Sequence, residues 1–424
     1  MTTRRRFLSR TAALAAGAFL APGLTPALAA RSPRVLPAGA RRDGGLPRTL
    51  VVVELAGGND GLNTVVPAGD DAYHAARGEL AITDGLALDE HRALHPALGA
   101  LHRHFAEGRL AVVEGVGYTE PNRSHFLSRD IWHAGDRRGR GRGDGWLGRL
   151  AAAHLDDPDA VVCVGKDVPY ACRVAGRSPL SLESAAGFGL LGGRKPLTGG
   201  VEMHDAMTDA KHDAMSAATT AGHDGRELAE IAERELVQAR EASAQVRAAV
   251  DAHEPGAEYP DEDLADDLRL AAALVASGLG PRVITVKRGG FDTHSNQRNR
   301  QRALLRELDA SLDAFHADLA AHGVADRVVV LVWSEFGRRV APNGSGGTDH
   351  GTAGPVFLLG DGVRGGLHGA PPSLTELDDK GDLVHTTDFR RVYASLLRDW
   401  FDVDPAPLLG PADDGPWAPL DLLG

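Results

Sequence analysis

Uninterrupted apolar runs, each closed by glycine or polar residues, recur along this chain of 424 residues. Continuous runs of roughly four to eight apolar residues are typical of strands buried on both faces, as in a parallel sheet. The pattern predicts strands over residues 48–55, 110–116, 159–165, 282–287, 327–332 and 355–359.

Between these runs, apolar residues return at the three- and four-residue spacing of one helix face. This spacing predicts helices over residues 95–105, 126–133, 223–252, 263–279, 301–322 and 389–401. Strands that alternate with helices predict an α/β fold, in which a doubly wound, mostly parallel sheet carries helices on both faces. We expect a single domain over residues 47–424, with a helical insertion near 204–278.

The N-terminal segment has a different character. Arg4-Arg5, followed by Phe7-Leu8 and an Ala/Leu-rich stretch, resembles a twin-arginine signal that ends at small residues. We expect a signal peptide over residues 1–29 and a disordered linker over 30–46, with an amphipathic or disordered tail as the alternative. The apolar stretch is shorter than the roughly 20 residues of a membrane span. The mature protein is therefore expected in the periplasm or outside the cell without a transmembrane anchor, its contact with the twin-arginine translocase confined to export.

Charge and cysteine content exclude some classes of protein. The formal net charge is −12, and an acidic chain repels a phosphate backbone, so nucleic acid is not an expected partner. Cys163 and Cys172 lack companion histidines and do not make a zinc site. They either form a disulfide in an oxidising compartment or remain thiols, with Cys163 as a buried strand residue.

Residues with metal-binding chemistry are concentrated after three of the predicted strands, which end near Leu55, Lys287 and Trp333. The carboxyl ends of parallel strands meet at one edge of a sheet. The residues that would converge there are Asp60, Asp292, His294, Glu335, Asp349 and His350. Each alone has an ordinary explanation as a cap or turn residue. Together, carboxylates and imidazoles without thiolate favour one or two divalent ions of Zn, Mn, Mg or Ca.

Ser124 stands just before the predicted helix 126–133 and has two interpretations. Its hydroxyl is of the type that satisfies free amides as an N-cap. The positive end of the helix and its exposed amides also suit a nucleophile that attacks an anionic ester. The residues alone leave both interpretations open.

Several short motifs together resemble one family. They lie at residues 57–64, 94–98, 124–126, 145–149, 290–294, 334–338 and 349–351. Over residues 48–402 the chain resembles the domain of unknown function 1501 family, exported proteins of the alkaline phosphatase-like or sulfatase-like superfamily. The resemblance implies an alkaline phosphatase-like fold.

The resemblance also implies roles for individual residues. Members of the superfamily carry, in chain order, an Asp, a Ser or Thr nucleophile, an Asp with a His, an Asp–His pair and a last His. The matching positions are Asp60, Ser124, Asp292 with His294, Asp349 with His350, and His368, with His385 as a competitor for the last place. Ser124 then becomes the candidate nucleophile, and the other matching residues become candidate metal ligands.

The remaining candidate residues would act on the substrate or beside the metal. Asn59, His125 or Arg338 would hold the anionic ester. Glu335 would either join the metal centre or orient Arg338 from outside it.

Two departures from the superfamily bear on the activity. The usual Asp-x-x-x-His spacing is shortened to Asp292-Thr-His294, which on extended backbone still places both side chains on one side. The sulfatase motif Cys-x-Pro-x-Arg follows neither Cys163 nor Cys172. A formylglycine sulfatase is therefore not expected.

Two functions remain. The first is an exported metal-dependent hydrolase of small phosphate or sulfate esters. The alternative is a non-catalytic exported binding or scaffold protein with at most a structural ion. A complete second metal site, including the last histidine, would favour catalysis. A nucleotide-binding oxidoreductase is disfavoured because no Gly-x-Gly-x-x-Gly turn follows the first strand.

Overall fold

The computed structural model describes residues 47–155, 160–165, 167–174, 179–182, 244–412 and 417–424. The predicted signal peptide (1–29), the linker (30–46) and residues 204–243 of the predicted insertion lie outside this part of the chain.

The six predicted strands are all present, together with shorter ones. In chain order the strands are β1 Thr49–Leu55, β2 Val65–Val66, β3 Leu86–Ala87, β4 Ala93–Leu94, β5 Leu110–Gly117, β6 Val161–Val164, β7 Leu180–Leu182, β8 Val283–Arg288, β9 Val328–Trp333, β10 Gly354–Leu359, β11 Gly366–His368 and β12 Thr387–Asp388. The α-helices are α1 Gly61–Thr64, α2 Asp71–Arg77, α3 Gly99–Ala106, α4 His125–Ala134, α5 Trp146–His154, α6 Asp263–Ala276, α7 Gln297–Ala321 and α8 Phe389–Ser395.

The described strands form two sheets. The large one has nine strands in the order β11-β5-β10-β9-β1-β8-β6-β7, with β12 also paired to β5. Only β10 runs against its neighbours, since it pairs antiparallel with β5 and β9 while the other ladders of this sheet are parallel. The described chain is therefore a mixed α/β fold built on a large, mostly parallel sheet.

The register of the ladders brings several strand ends to one edge. Leu55 of β1 pairs with Arg288 of β8, and Glu54 pairs with Trp333 of β9. The antiparallel β10 begins at this same edge, beside the end of β5. The turns after β1, β8 and β9, the start of β10 and the segment after β5 therefore lie close to one another.

Burial on both faces of the sheet explains why the strands appear in the sequence as continuous apolar runs. Every residue of β1 is buried, and successive side chains face opposite sides of the sheet. Helices α4, α5 and α8 pack on one core cluster, which includes Trp132, Trp146 and Leu397. Helix α6 packs against β8 and against α7, and α3 packs against β5. Cys163 and Cys172 are both buried as free thiols.

The large sheet belongs to one compact unit, and the helix over residues 244–252 belongs to another. Helix α6, inside the predicted insertion, packs on the sheet as a regular layer of the fold. No helix of the described residues is long and apolar enough to cross a membrane.

The differences from the predicted elements have simple causes. The three-stranded sheet β2-β4-β3 was not predicted, because two-residue strands carry no periodicity. The predicted helix 389–401 is α8 followed by a π-helical turn, Leu396–Trp400. The predicted helix 301–322 begins earlier, at Gln297, within a polar stretch that gives no apolar signal.

Candidate metal centre

Three histidines and one aspartate come together at the edge where the strand ends meet. Asp292 and His294 follow β8, His125 is the first residue of α4, and His350 lies between β9 and β10. Oδ1 of Asp292 is 3.0 Å from Nε2 of His294 and 3.1 Å from Nε2 of His350. It is 3.6 Å from Nε2 of His125. Four potential metal-ligand atoms are therefore grouped around Asp292, and those of His125, Asp292 and His350 all lie within metal-ligand reach of one another.

The other nitrogen of each ring is fixed by an oxygen that lies outside this group. The Nδ1 contacts are His125 to Glu335 Oε1 at 2.8 Å, His294 to Asp349 Oδ1 at 3.0 Å, and His350 to the Arg123 carbonyl at 2.9 Å. A carbonyl and an ionised carboxylate can only accept a hydrogen bond. Each neutral ring therefore carries its proton on Nδ1 and presents an unprotonated Nε2, the arrangement found in metal-binding histidines.

With these protons on Nδ1, acceptor atoms are crowded against one another. Nε2 of His294 is only 2.9 Å from Nε2 of His350. Nε2 of His125 is buried and has no hydrogen-bond partner. Two lone pairs at hydrogen-bond distance repel unless a proton or a cation lies between them. A divalent cation held by His125, Asp292 and His350 would satisfy the unpartnered Nε2 of His125 and remove this repulsion, so the donor set fits a metal ion.

Charge at the centre also favours cation binding. Burial raises the pKa of Asp292, but the hydrogen bond and the positive charge of Arg338 offset this and help to bring it to about 2. Asp292 is thus an anion at any physiological pH. Burial lowers the pKa of His350, which favours the neutral ring that can bind a metal.

Arg338 is a buried side chain that joins the chain segments around the centre by hydrogen bonds. Its side chain is fully buried, and Nη2 donates to Asp292 Oδ1 at 2.6 Å. Nε donates to the Gly58 carbonyl at 2.7 Å and Nη1 to the Thr348 carbonyl at 2.8 Å. One guanidinium therefore joins the turn after β1, the turn after β8 and the segment that carries His350. Its donors are used within the protein, which leaves little for the substrate contact predicted from the sequence.

The turn after β1 needs glycine to approach Asp292 this closely. Gly57 has a φ of +125°, and a Cβ there would lie 2.3 Å from the backbone nitrogen of Asp292. The amide of Gly57 also donates to both oxygens of Glu335, at 3.0 and 3.2 Å. The same turn thus positions the aspartate and the residue that holds His125.

Glu335 and Asp349 lie beside the four ligand atoms and hold their rings. Glu335 is 1% exposed and contacts His125. It therefore orients that histidine. The sequence had predicted that it would orient Arg338 or bind the metal. Asp349 was predicted as a metal ligand. In the structure its Oδ1 instead contacts Nδ1 of His294 and accepts a further hydrogen bond from Asn343 Nδ2 at 3.1 Å.

Ser124 lies between Arg123 and His125, which both contact residues of the centre. The carbonyl of Arg123 holds His350, and the ring of His125 faces Asp292. Ser124 is the N-cap residue of α4 by its backbone, but its side chain makes no capping hydrogen bond. Its backbone amide donates to the side chain of Asn122 at 2.8 Å. The hydroxyl is thus not engaged as a helix cap.

Asp60 is not part of this group, although it was predicted as a metal ligand. It is completely buried and paired with Arg77, which contacts both carboxylate oxygens. Gln297 also donates to Oδ2. The carboxylate therefore holds α2 and α7 against the turn after β1.

Two further predicted residues also lie apart from the four ligand atoms. His368 is on β11, where Nε2 contacts the Arg364 carbonyl at 2.8 Å, and β11 is the outermost strand beyond β5. Asn59 is buried, and its side chain accepts a hydrogen bond from Thr64 at 3.1 Å. Neither is placed to complete a second metal site or to hold an anionic ester.

A second group of histidines and an aspartate has a structural explanation. His253, Asp318 and His322 lie within metal-ligand reach of one another. The Asp318 carboxylate is already satisfied by the Gly256 amide at 2.7 Å, the Tyr259 hydroxyl at 2.8 Å and His253 at 3.0 Å. This aspartate ties the segment 253–259 to the end of α7.

Comparison with known proteins gives a family and a distant structural neighbour. A family model described as protein of unknown function (DUF1501) matches residues 121–401, about two thirds of the chain. No curated protein matches the sequence. Among solved structures, one titled a 2-O GAG sulfatase is similar with a TM-score of 0.36 and 10% identity. That alignment covers 87% of this chain and 74% of the other.

Proposed function

The chain belongs to the DUF1501 family, and we propose that it is an exported hydrolase of phosphate or sulfate esters that depends on a divalent metal ion. The observation that carries the proposal is the meeting of three imidazole Nε2 atoms with an ionised Asp292 oxygen. Ser124 lies in the same segment as one of these rings, at the start of α4.

The ligand set favours a single ion of zinc or manganese. His125, His294, His350 and Asp292 would hold it, since imidazole nitrogen with one carboxylate suits these metals better than Mg²⁺ or Ca²⁺, which prefer oxygen. When bound there, the ion would stabilise negative charge on the oxygens of the ester. A second ion is not part of the proposal, because Asp60 and His368 lie elsewhere.

Ser124 is the proposed nucleophile. Its Oγ forms a bond to phosphorus or sulfur and gives up its proton to solvent, while the bridging bond breaks and the alcohol leaves with a proton from water. Water then hydrolyses the covalent ester and restores the serine. The free amides and the positive end of α4, a helix of ten residues, favour the anionic group at this position.

The proposal also includes the arrangement of the sheet and the export of the protein. We take the sheet to be the doubly wound, alkaline phosphatase-like arrangement, because Ser124, Asp292 with His294 and His350 keep the superfamily's order along the chain. The Arg4-Arg5 motif supports export by the twin-arginine route. Proteins exported in this way cross the membrane already folded, which suits a metal inserted before export.

Elemental analysis tests the metal directly. The full chain, purified without chelator, is expected to hold about one equivalent of zinc or manganese, as a centre with four protein ligands would. Dialysis against chelator should remove the ion and the hydrolysis of phosphate or sulfate esters together, and reloading should restore both. A protein that contains no divalent metal, and takes up none on incubation, would contradict the proposal.

A non-catalytic binding or scaffold protein is the second candidate. It is favoured by one observation, namely that His368 and Asp60 do not complete a second metal site. The two candidates separate in one assay, because only the hydrolase releases phosphate or sulfate from a panel of esters, and the scaffold holds at most a structural ion.

Glu335→Gln is expected to weaken metal binding roughly 10–100-fold, the usual cost of losing a partner that orients a ligand. The carboxylate raises the basicity of His125 through Nδ1, and an amide cannot do so to the same degree. Glu114→Gln is the matched control, because Glu114, on β5, is also buried but contacts Arg92 and no residue of the centre. Competition with a fluorescent chelator measures both affinities, and equal values would refute the role of Glu335.

A further inference from the structure

Among the described residues, three large apolar side chains are exposed, two directly after His125 and one in the segment that follows Asp382. Phe126 is 72% exposed and Leu127 is 54% exposed, and both follow His125 directly. Val384 is 47% exposed. Its segment is tied to the residue before Ser124, since Asp382 accepts from Arg123. Single exposed apolar residues are ordinary, but two of these lie within one short stretch, Arg123 to Leu127, and the third lies in the segment joined to it.

Phe126 is arranged as a platform for stacking. The guanidinium of Arg129 lies over one side of its ring, 5.8 Å from the centroid. The high exposure of Phe126 shows that much of the ring remains uncovered. A ring supported by a cation on one face suits an aromatic group on the other, because aromatic rings attract one another in offset-stacked and edge-on arrangements.

The size of the patch indicates a small molecule as its occupant. A stable protein interface buries about 800 Å² on each partner. Phe126, Leu127 and Val384 provide only a fraction of this, since an aromatic side chain buries roughly 150–250 Å². Phe126 and Leu127 follow the proposed nucleophile by two and three residues, in the first turn of α4.

We infer that Phe126 and Leu127 form a subsite for the aromatic leaving group of the ester, so that aryl phosphates or aryl sulfates are the preferred substrates. The inference rests on the proposed function and deepens it by naming the substrate class. Ser124 and the metal ligands act on the phosphate or sulfate group, and the apolar subsite selects the alcohol that leaves.

Steady-state kinetics of the metal-loaded full chain test the subsite, with 4-nitrophenyl phosphate, 4-nitrophenyl sulfate and glycerol phosphate as substrates. Phe126→Ala is expected to lower kcat/KM for the better aryl ester about 10-fold, the usual scale for losing one large apolar contact. Hydrolysis of glycerol phosphate should change less than about twofold, because glycerol gains little from an apolar surface. Phe126→Tyr keeps the ring and should retain aryl ester activity. An equal loss on all substrates, or no loss on any, would overturn the subsite.

A binding measurement separates failure of the subsite from failure of the hydrolase. If the wild-type chain hydrolyses none of the esters, the proposed function is wrong, and calorimetry with phenyl phosphate and inorganic phosphate then decides the subsite. Tighter binding of phenyl phosphate, lost in Phe126→Ala, supports it. Equal affinity for the two ligands, or no binding of phenyl phosphate, overturns it.

Discussion

A His350→Ala variant is expected to lose its divalent ion and, with it, ester hydrolysis. His350 places Nε2 next to the Asp292 oxygen and the His294 nitrogen, so its removal would take away one of the proposed ligands. The loss of a direct ligand should exceed the roughly 10–100-fold cost of losing an orienting partner. Elemental analysis after gel filtration should therefore find well under one equivalent of metal, and hydrolysis should fall to the level of the chelator-treated protein.

The choice of His350 keeps this experiment free of folding defects. Removing Asp292 would leave the buried guanidinium of Arg338 without its carboxylate, a change that destabilises the fold. His350 is partly exposed, so its side chain can be shortened without leaving a buried charge.

His368→Ala is the matched control for the same experiment. The sequence proposed His368 for the centre, but the structure places it on β11. This variant should keep its metal and its activity. If instead His368→Ala loses the ion and His350→Ala keeps it, the proposed centre is wrong.

The hydrophobic pattern was sufficient to predict that Asp292, His294 and His350 lie at one edge of the sheet, because it located the strand ends. Asp292 and His294 follow β8, and His350 lies between β9 and β10, so recognising those strands places the three residues at one edge. The continuous apolar runs could be read because these strands are buried on both faces. The antiparallel direction of β10 could not be predicted from the sequence, since a short buried apolar run has the same pattern in either orientation.

The roles of individual residues depended on contacts far apart in the chain. Asp60 lies at the predicted strand end, but it is paired with Arg77 on α2, a short helix that has no periodic apolar pattern. His125 was assigned to the substrate because its partner Glu335 lies 210 residues away. A partner so far away in the sequence can be recognised only once the fold brings the end of β9 next to the start of α4.

Ser124→Ala is expected to lower kcat at least about 10³-fold while leaving metal content and stability unchanged, since removing a nucleophile typically has effects of this size or larger. The cap interpretation predicts the opposite result, a loss of about 1 kcal/mol in the free energy of unfolding with activity retained. The absence of a side-chain capping bond at Ser124 favours the first outcome. Ser124→Thr keeps a hydroxyl and should recover part of the activity. If Ser124→Ala remains fully active with bound metal, water must attack the ester directly, and the serine has no covalent role.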